Sequence, residues 1–175
     1  MNIDKNKILA TAQKYVEKGQ IDKAIKEYLK LIGIDQGDIR SYLRLGELYT
    51  KNGDLVQAAK VYKFVADRYT NDGFYLKAVA VYKNLIKLIP DDLEVNEKLG
   101  DLYSTLGLVG DAIAQYTQVA SKLETKDALQ DLSEILKKIQ KIDPKNIDAG
   151  IKQATLCLRH GKKDEAKTQY KCLTE

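Results

Sequence analysis

IRSYLRLGELYTKNGDLVQAAKVYKFVADRYTND, residues 39–72, is the segment whose reading decides the fold. Tyr42, Leu45 and Tyr49 recur three and four places apart, the spacing that keeps side chains on one face of a helix. Asn52, Gly53 and Asp54 break that run, and Ala58 and Tyr62 resume it on a second helix. Gly53 can adopt the left-handed conformation that ends a helix without a Cβ penalty. Two relations in this segment repeat along the chain. Ala58 precedes Tyr62 by four places, as Ala24, Ala78, Ala112 and Ala166 precede Tyr28, Tyr82, Tyr116 and Tyr170. Tyr49 precedes Gly53 by four, as Tyr15, Tyr69 and Tyr103 precede Gly19, Gly73 and Gly107. Self-similarity of this kind means stacked helical repeats.

Working outward, strand-like alternation is absent and short punctuation predicts about ten helices: 6–18, 21–34, 39–52, 55–70, 74–89, 92–106, 109–122, 126–141, 145–160 and 163–174. Pro90 and Pro144 lack a backbone N–H and disfavour helix in the preceding residue, so each marks a stop. No Pro/Ser-rich linker interrupts the chain.

The pattern resembles the tetratricopeptide repeat (TPR) family, whose unit of about 34 residues is a pair of antiparallel helices. Residues 39–72 carry its signature through Tyr42, Leu45, Gly46, Tyr49, Gly53, Ala58 and Tyr62. Residues 93–126 carry it through Leu99, Gly100, Tyr103, Gly107, Ala112 and Tyr116. Residues 5–38 match through Ala12, Tyr15, Gly19, Ala24 and Tyr28, and the tail through Ala154, Gly161, Ala166 and Tyr170. The resemblance implies an all-α fold, a right-handed α-solenoid of about ten antiparallel helices. One departure stands out. Residues 59–92 match as well, through Tyr62, Ala66, Tyr69, Gly73, Ala78, Tyr82 and Pro90, so the helix around Tyr62 serves two units. A weaker match at 113–146, through Tyr116, Ala120 and Pro144, repeats that overlap. Read this way the period is roughly 54 residues, or three helices. Residues 39–92 and 93–146 are then whole copies and 5–38 and 147–175 partial ones, within a single repeat domain over 1–175.

Helix axes in a packed pair lie about 8–10 Å apart, a distance set by the side chains at the crossing. Gly46 and Gly100 are expected to face Ala58 and Ala112 there. The tyrosines are expected to fill wider gaps nearby and keep their hydroxyls in water.

Composition narrows the function. The 175 residues are 44% hydrophobic and 31% charged, with 29 basic and 25 acidic groups giving a net charge of +4. So even a balance is weak ground for a nucleic-acid or acidic-membrane partner. The opening MNIDKNKILATAQKYVEKG has no apolar run of about 7–15 residues, and nothing reaches the roughly 18 apolar residues of a membrane span. The expectation is a cytoplasmic protein without membrane insertion. Cys157 and Cys172 are too few for a disulfide framework or a metal site. Cys157 reads as a small buried hydrophobe, with a regulatory pair as the sharper alternative. His160, before Gly161, reads as closing a helix C-terminus.

No Ser/His/Asp or Cys/His arrangement, GxGxxG or GxxxxGK[ST] motif is present, so neither catalysis nor a cofactor is expected. Asp91, Asp92 and Glu94 suit the positive end of a helix dipole better than a metal. The resemblance implies a protein-interaction scaffold whose first helices line an inner face. Carried over, that face holds Arg40, Leu43, Glu47, Thr50 and Lys51, then Glu94, Glu97, Asp101, Ser104 and Thr105. Arg40 and Arg44 can grip a carboxylate or phosphate, and Glu94, Glu97 and Asp101 suit a basic segment. Opposite signs of this kind can orient an extended or helical peptide, although solvated helix faces carry such charges too. A chaperone-tail clamp is not expected, because its lysine and asparagine places hold Leu9 and Gln13, Leu43 and Glu47, and Glu97 and Asp101. An alternative is self-association through the last helix, whose Ala166, Tyr170 and Leu173 lack a following helix. RNA binding is disfavoured by the acidic residues.

Overall fold

The computed structural model describes residues 4–172, apart from the side chain of Cys172. Ten α-helices and no strand occur among the described residues: α1 Lys5–Glu17, α2 Ile21–Ile34, α3 Ile39–Lys51, α4 Leu55–Asn71, α5 Tyr75–Leu88, α6 Leu93–Thr105, α7 Val109–Thr125, α8 Leu129–Ile142, α9 Ile147–Arg159 and α10 Lys163–Cys172. The all-α fold class is thus the one the repeats imply. By their contacts the helices fall into two compact units, Met1–Pro90 and Asp91–Glu175. Unit 1 holds α1–α5 and unit 2 holds α6–α10. Within each, consecutive helices joined by short turns pack side by side.

The turns explain half of the tyrosine pattern. At the end of α4, Gly73 has φ +77° and its N–H donates to the Thr70 carbonyl at 3.1 Å. The next N–H, of Phe74, reaches back to the Tyr69 carbonyl at 2.8 Å. This pair of bonds closes the last helical turn, and it usually brings an apolar contact between the same two residues. Here the rings of Tyr69 and Phe74 meet edge to face with centroids 6.2 Å apart. The same backbone bonds recur after α1, α3 and α6, where the recaptured carbonyl belongs to Tyr15, Tyr49 and Tyr103, and after α9, where it belongs to Cys157. One such turn carries no glycine. Asp127 has φ 52°, and the Ala128 N–H donates to the Leu123 carbonyl at 3.1 Å. The sequence-based boundaries fail at this point: α7 runs to Thr125 and α8 begins at Leu129, not at 126. Aspartate tolerates the left-handed region through its short polar side chain, so the stop is real without the residue that signals it.

The remaining junctions use side-chain caps. Asp38, Asp92 and Asn146, and Asp54 after the Gly53 turn, accept from backbone N–H groups three residues on, which satisfies donors that the first turn leaves open. Before Pro90 and Pro144 the helices stop at Leu88 and Ile142, as the prolines require.

The small positions are buried as expected: Ala24, Ala58, Ala78 and Ala112 are at 0% exposure and Ala166 at 1%. Two expectations change. The atoms nearest to a Cβ placed on Gly46 belong to the Tyr62 ring, and on Gly100 to the Tyr116 ring, so each glycine makes room for a tyrosine rather than for the facing alanine. The hydroxyls of Tyr82 and Tyr116 do not sit in water; they donate to Asp67 at 2.5 Å and Asp101 at 2.6 Å on the preceding helix. Cys157 is buried at 7% exposure. His160 closes α9 through its backbone N–H, which reaches the Leu156 carbonyl at 3.1 Å, rather than through its ring. For the last helix, Ala166 is already covered and Tyr170 is exposed, at 41%. Leu173 and the Cys172 side chain lie outside the described residues.

Candidate functional site

In unit 1 the Asp38 carboxylate starts α3 by accepting from the Ser41 N–H and hydroxyl. That cap sets the rotation of the helix, and the helical repeat then aligns Arg40, Leu43, Arg44 and Glu47 toward α1. With Leu9 and Gln13 of α1 and Tyr28 of α2 they line an open groove of about 600 Å³. Four of the expected contact residues therefore converge. Lys51 does not join them; it is the last residue of α3 and exposed beyond the groove.

The two arginines are not equivalent. Arg44 is held by Glu47, and this hydrogen bond, with a smaller contribution from the Tyr28 hydroxyl, keeps its pKa above the ordinary arginine value against partial burial. Arg40 is exposed and has no ion partner among the described residues. A two-arginine grip on one carboxylate would require Arg44 to leave Glu47. As it stands, Arg40 is the available cation and Arg44 braces the wall. The floor between them is apolar, from Leu9 and Leu43, which favours a peptide over a small polar ion.

In unit 2, Glu94 and Glu97 line a smaller groove of about 200 Å³ together with Asp131 and Glu134 of α8. Asp101 does not line it. Lys138 of α8 reaches both Glu97 and Asp101 at 2.7 Å, and its ammonium lies 5.6 Å from the Tyr116 ring centre. Glu94 pairs with Lys98 at 3.2 Å. The acidic cluster read from α6 is therefore largely neutralised from within the unit, which weakens it as an anchor for a basic segment. Lys138, Asp131 and Glu134 were missed because nothing local to α6 announces them: Lys138 lies 41 residues from Glu97. The only signal was the three-helix reading, which groups α8 with α6 without setting its rotation.

Burial pushes the Lys138 ammonium toward neutrality, but hydrogen bonds to Asp101 and Glu97 outweigh it and raise its pKa above 10.5. For a raised lysine, the stabilisation is complete below the ordinary value and is lost as pH rises through the folded one. Because a third of the side chain faces water (34% exposure), the contribution is expected to be only about 1 kcal/mol. Lys138→Met should lower the urea midpoint of unit 2 near neutrality, and the gap from wild type should close as pH rises above the ordinary lysine value of about 10.4. A gap that stays constant over that range would show that packing, not charge, holds Lys138.

Among the described residues no group of three His, Cys, Asp or Glu side chains is placed to hold a metal ion. No helix there is long and apolar enough to cross a membrane.

Residues 12–63, spanning α1 to α4 and containing most of this groove, match the family model described as TPR repeat. This stretch, about a third of the chain, is similar to tetratricopeptide repeats. In TPR terms Leu9 and Leu43, and Gln13 and Glu47, are equivalent places of successive repeats, and all four face the one groove. No curated protein matches the chain. Among solved structures it is similar to the crystal structure of MamA, with 21% identity over 93% of this chain and 92% of that one and a TM-score of 0.36. TTC0263, a thermophilic TPR protein of Thermus thermophilus, shows 16% identity over 89% and 100%, also with a TM-score of 0.36. A tetratricopeptide repeat protein of Parabacteroides merdae shows 18% identity over 98% and 79%, with a TM-score of 0.35.

Proposed function

We propose that this chain is a non-catalytic cytoplasmic scaffold that binds a peptide segment of a partner protein in the α1–α3 groove of unit 1. TPR repeats support the coarser part of this reading, a role in protein interaction. The observation that carries the finer part is an apolar floor, Leu9 and Leu43, beside the Arg40 guanidinium, which has no ion partner among the described residues. An apolar side chain can bury on that floor while a carboxylate nearby reaches Arg40 through charge-assisted hydrogen bonds. The non-catalytic part is supported by the histidine's place at a helix end.

A displayed random-peptide library selected on the immobilised protein tests it. Bound peptides should share an acidic group flanking an apolar one. Arg40→Glu/Arg44→Glu should lower their affinity by roughly tenfold or more while leaving the unfolding midpoint near that of wild type. Recovery of the same peptides from both proteins would remove this groove from consideration.

A further inference from the structure

The even charge of the whole chain conceals an uneven distribution. Residues 1–90 hold 16 Lys and Arg against 10 Asp and Glu, and residues 91–175 hold the other 13 and 15 of the chain's 29 and 25. Within unit 1 the excess gathers at one end. The Asn52 side chain donates to Asp22 at 3.0 Å, tying the α3–α4 turn to the start of α2, so that turn shares an end with the α1–α2 turn. Six lysines stand there: Lys14 and Lys18 where α1 finishes, Lys23 and Lys26 where α2 begins, Lys51 at the end of α3 and Lys60 in the second turn of α4. All six are exposed. None is in an ion pair among the described residues; Lys23 alone has a neighbour, the Tyr15 ring at 5.7 Å.

At the other end of the same helices Lys7 and Arg40 have no ion pair among the described residues, but three other cations do. There Lys5 pairs with Asp35 at 2.8 Å, Lys30 with Glu27 at 2.7 Å and Arg68 with Asp72 at 3.0 Å. At the lysine end the carboxylates are Glu17, Asp22 and Asp54, and two of them are occupied: Asp22 accepts from Asn52 and Asp54 caps α4 at the Gln57 N–H. The lysine end also exposes apolar surface. Leu55 and Val56, the first two residues of α4, are 46% and 66% exposed.

We propose that this end of unit 1 adsorbs to a bilayer surface bearing anionic lipid headgroups. Lysine ammonium groups are drawn to such a surface as point charges, and near it each adds about fivefold to binding. Leu55 and Val56 can settle at the boundary between headgroups and acyl chains, as apolar residues of peripheral proteins do. Nucleic acid fits the same end less well. The six cations include no arginine fork for base edges, and the tyrosines there, Tyr15 and Tyr49, are half-buried rather than presented for stacking. An exposed Leu–Val pair also has no counterpart on a phosphate backbone. The lysine end and the α1–α3 groove share no residue, so the two proposals fail separately.

Co-sedimentation of the full chain with phosphatidylcholine vesicles containing about a third phosphatidylserine provides the test. Pelleting is expected with these vesicles and not with pure phosphatidylcholine, and it should weaken as salt rises. Lys18→Gln/Lys23→Gln/Lys51→Gln should reduce partitioning by at least about tenfold. The control Lys5→Gln/Lys7→Gln/Lys30→Gln removes the same charge from the opposite end and should stay within about twofold of wild type. Val56→Ser should weaken binding several-fold at every salt concentration. Absence of pelleting, or equal loss in the two triple variants, overturns the proposal. So does tighter binding of a mixed-sequence RNA or DNA oligonucleotide at the same ionic strength. Thermal midpoints of all variants, compared with wild type, exclude unfolding as the cause.

Discussion

Gly100→Val is expected to destabilise unit 2 by about 3 kcal/mol and lower its thermal midpoint by about 12–24 °C. A Cβ at this position would stand 2.7 Å from Cε1 and 2.9 Å from Cδ1 of Tyr116, closer than nonbonded carbons approach. The ring has nowhere to retreat. Tyr116 is 2% exposed, and its hydroxyl is tied to Asp101 at 2.6 Å on the same helix that carries Gly100. Valine adds two further methyl groups to the clash. Alanine is the more discriminating substitution, because helix propensity alone favours it over glycine by about 1 kcal/mol. Propensity predicts that Gly100→Ala stabilises, whereas the contact with Tyr116 predicts a net loss. Combining Gly100→Ala with Tyr116→Leu should recover part of that loss, since residues in contact do not act additively. Urea unfolding of the four proteins measures the coupling, and a Gly100→Ala variant more stable than wild type would show that the ring yields.

Tyr82→Ala is expected to be the costliest single truncation in unit 1, at about 3–5 kcal/mol. Tyr82 heads the fully buried side chains by size, at 1% exposure, so its removal leaves a cavity that α4 and α5 cannot close without moving. The hydroxyl is a smaller part of the total. Tyr82→Phe keeps the ring and gives up the 2.5 Å hydrogen bond to Asp67, for a cost of about 1 kcal/mol. Circular dichroism melts should therefore order the proteins wild type, Phe, Ala, with the wide gap between Phe and Ala. A Phe variant as unstable as Ala would mean that the Tyr82–Asp67 bond, rather than ring burial, joins α4 to α5.

The sequence singles out Gly100, Tyr116 and Tyr82 without saying what they touch. The glycine–tyrosine contact shows the limit. Periodicity places Gly100 and Tyr116 on neighbouring helices, yet the relative rotation of those helices decides whether a glycine faces an alanine or a ring. The groove of unit 1 was legible because repeat register puts equivalent residues on equivalent faces, which brings Leu9 and Leu43 together. In unit 2 the same register pointed to Glu94, Glu97 and Asp101, and the cation from α8 changes what they can do.

By itself the sequence determined the helices, nearly all of their ends, and the alternation of alanine and tyrosine that lets them pack. These are short-range matters. A backbone hydrogen bond in a helix or its closing turn joins residues about three to five apart, so the residues that decide it stand beside one another in the chain. Tertiary structure alone decided that Lys138 sits between Glu97 and Asp101, 41 and 37 residues away, and that Arg44 is spent on bracing while Arg40 has no ion partner among the described residues. It also gathered six lysines without ion pairs among the described residues at one end of unit 1. Coulomb attraction and packing act through space, and a summed net charge of +4 carries no record of where its lysines stand.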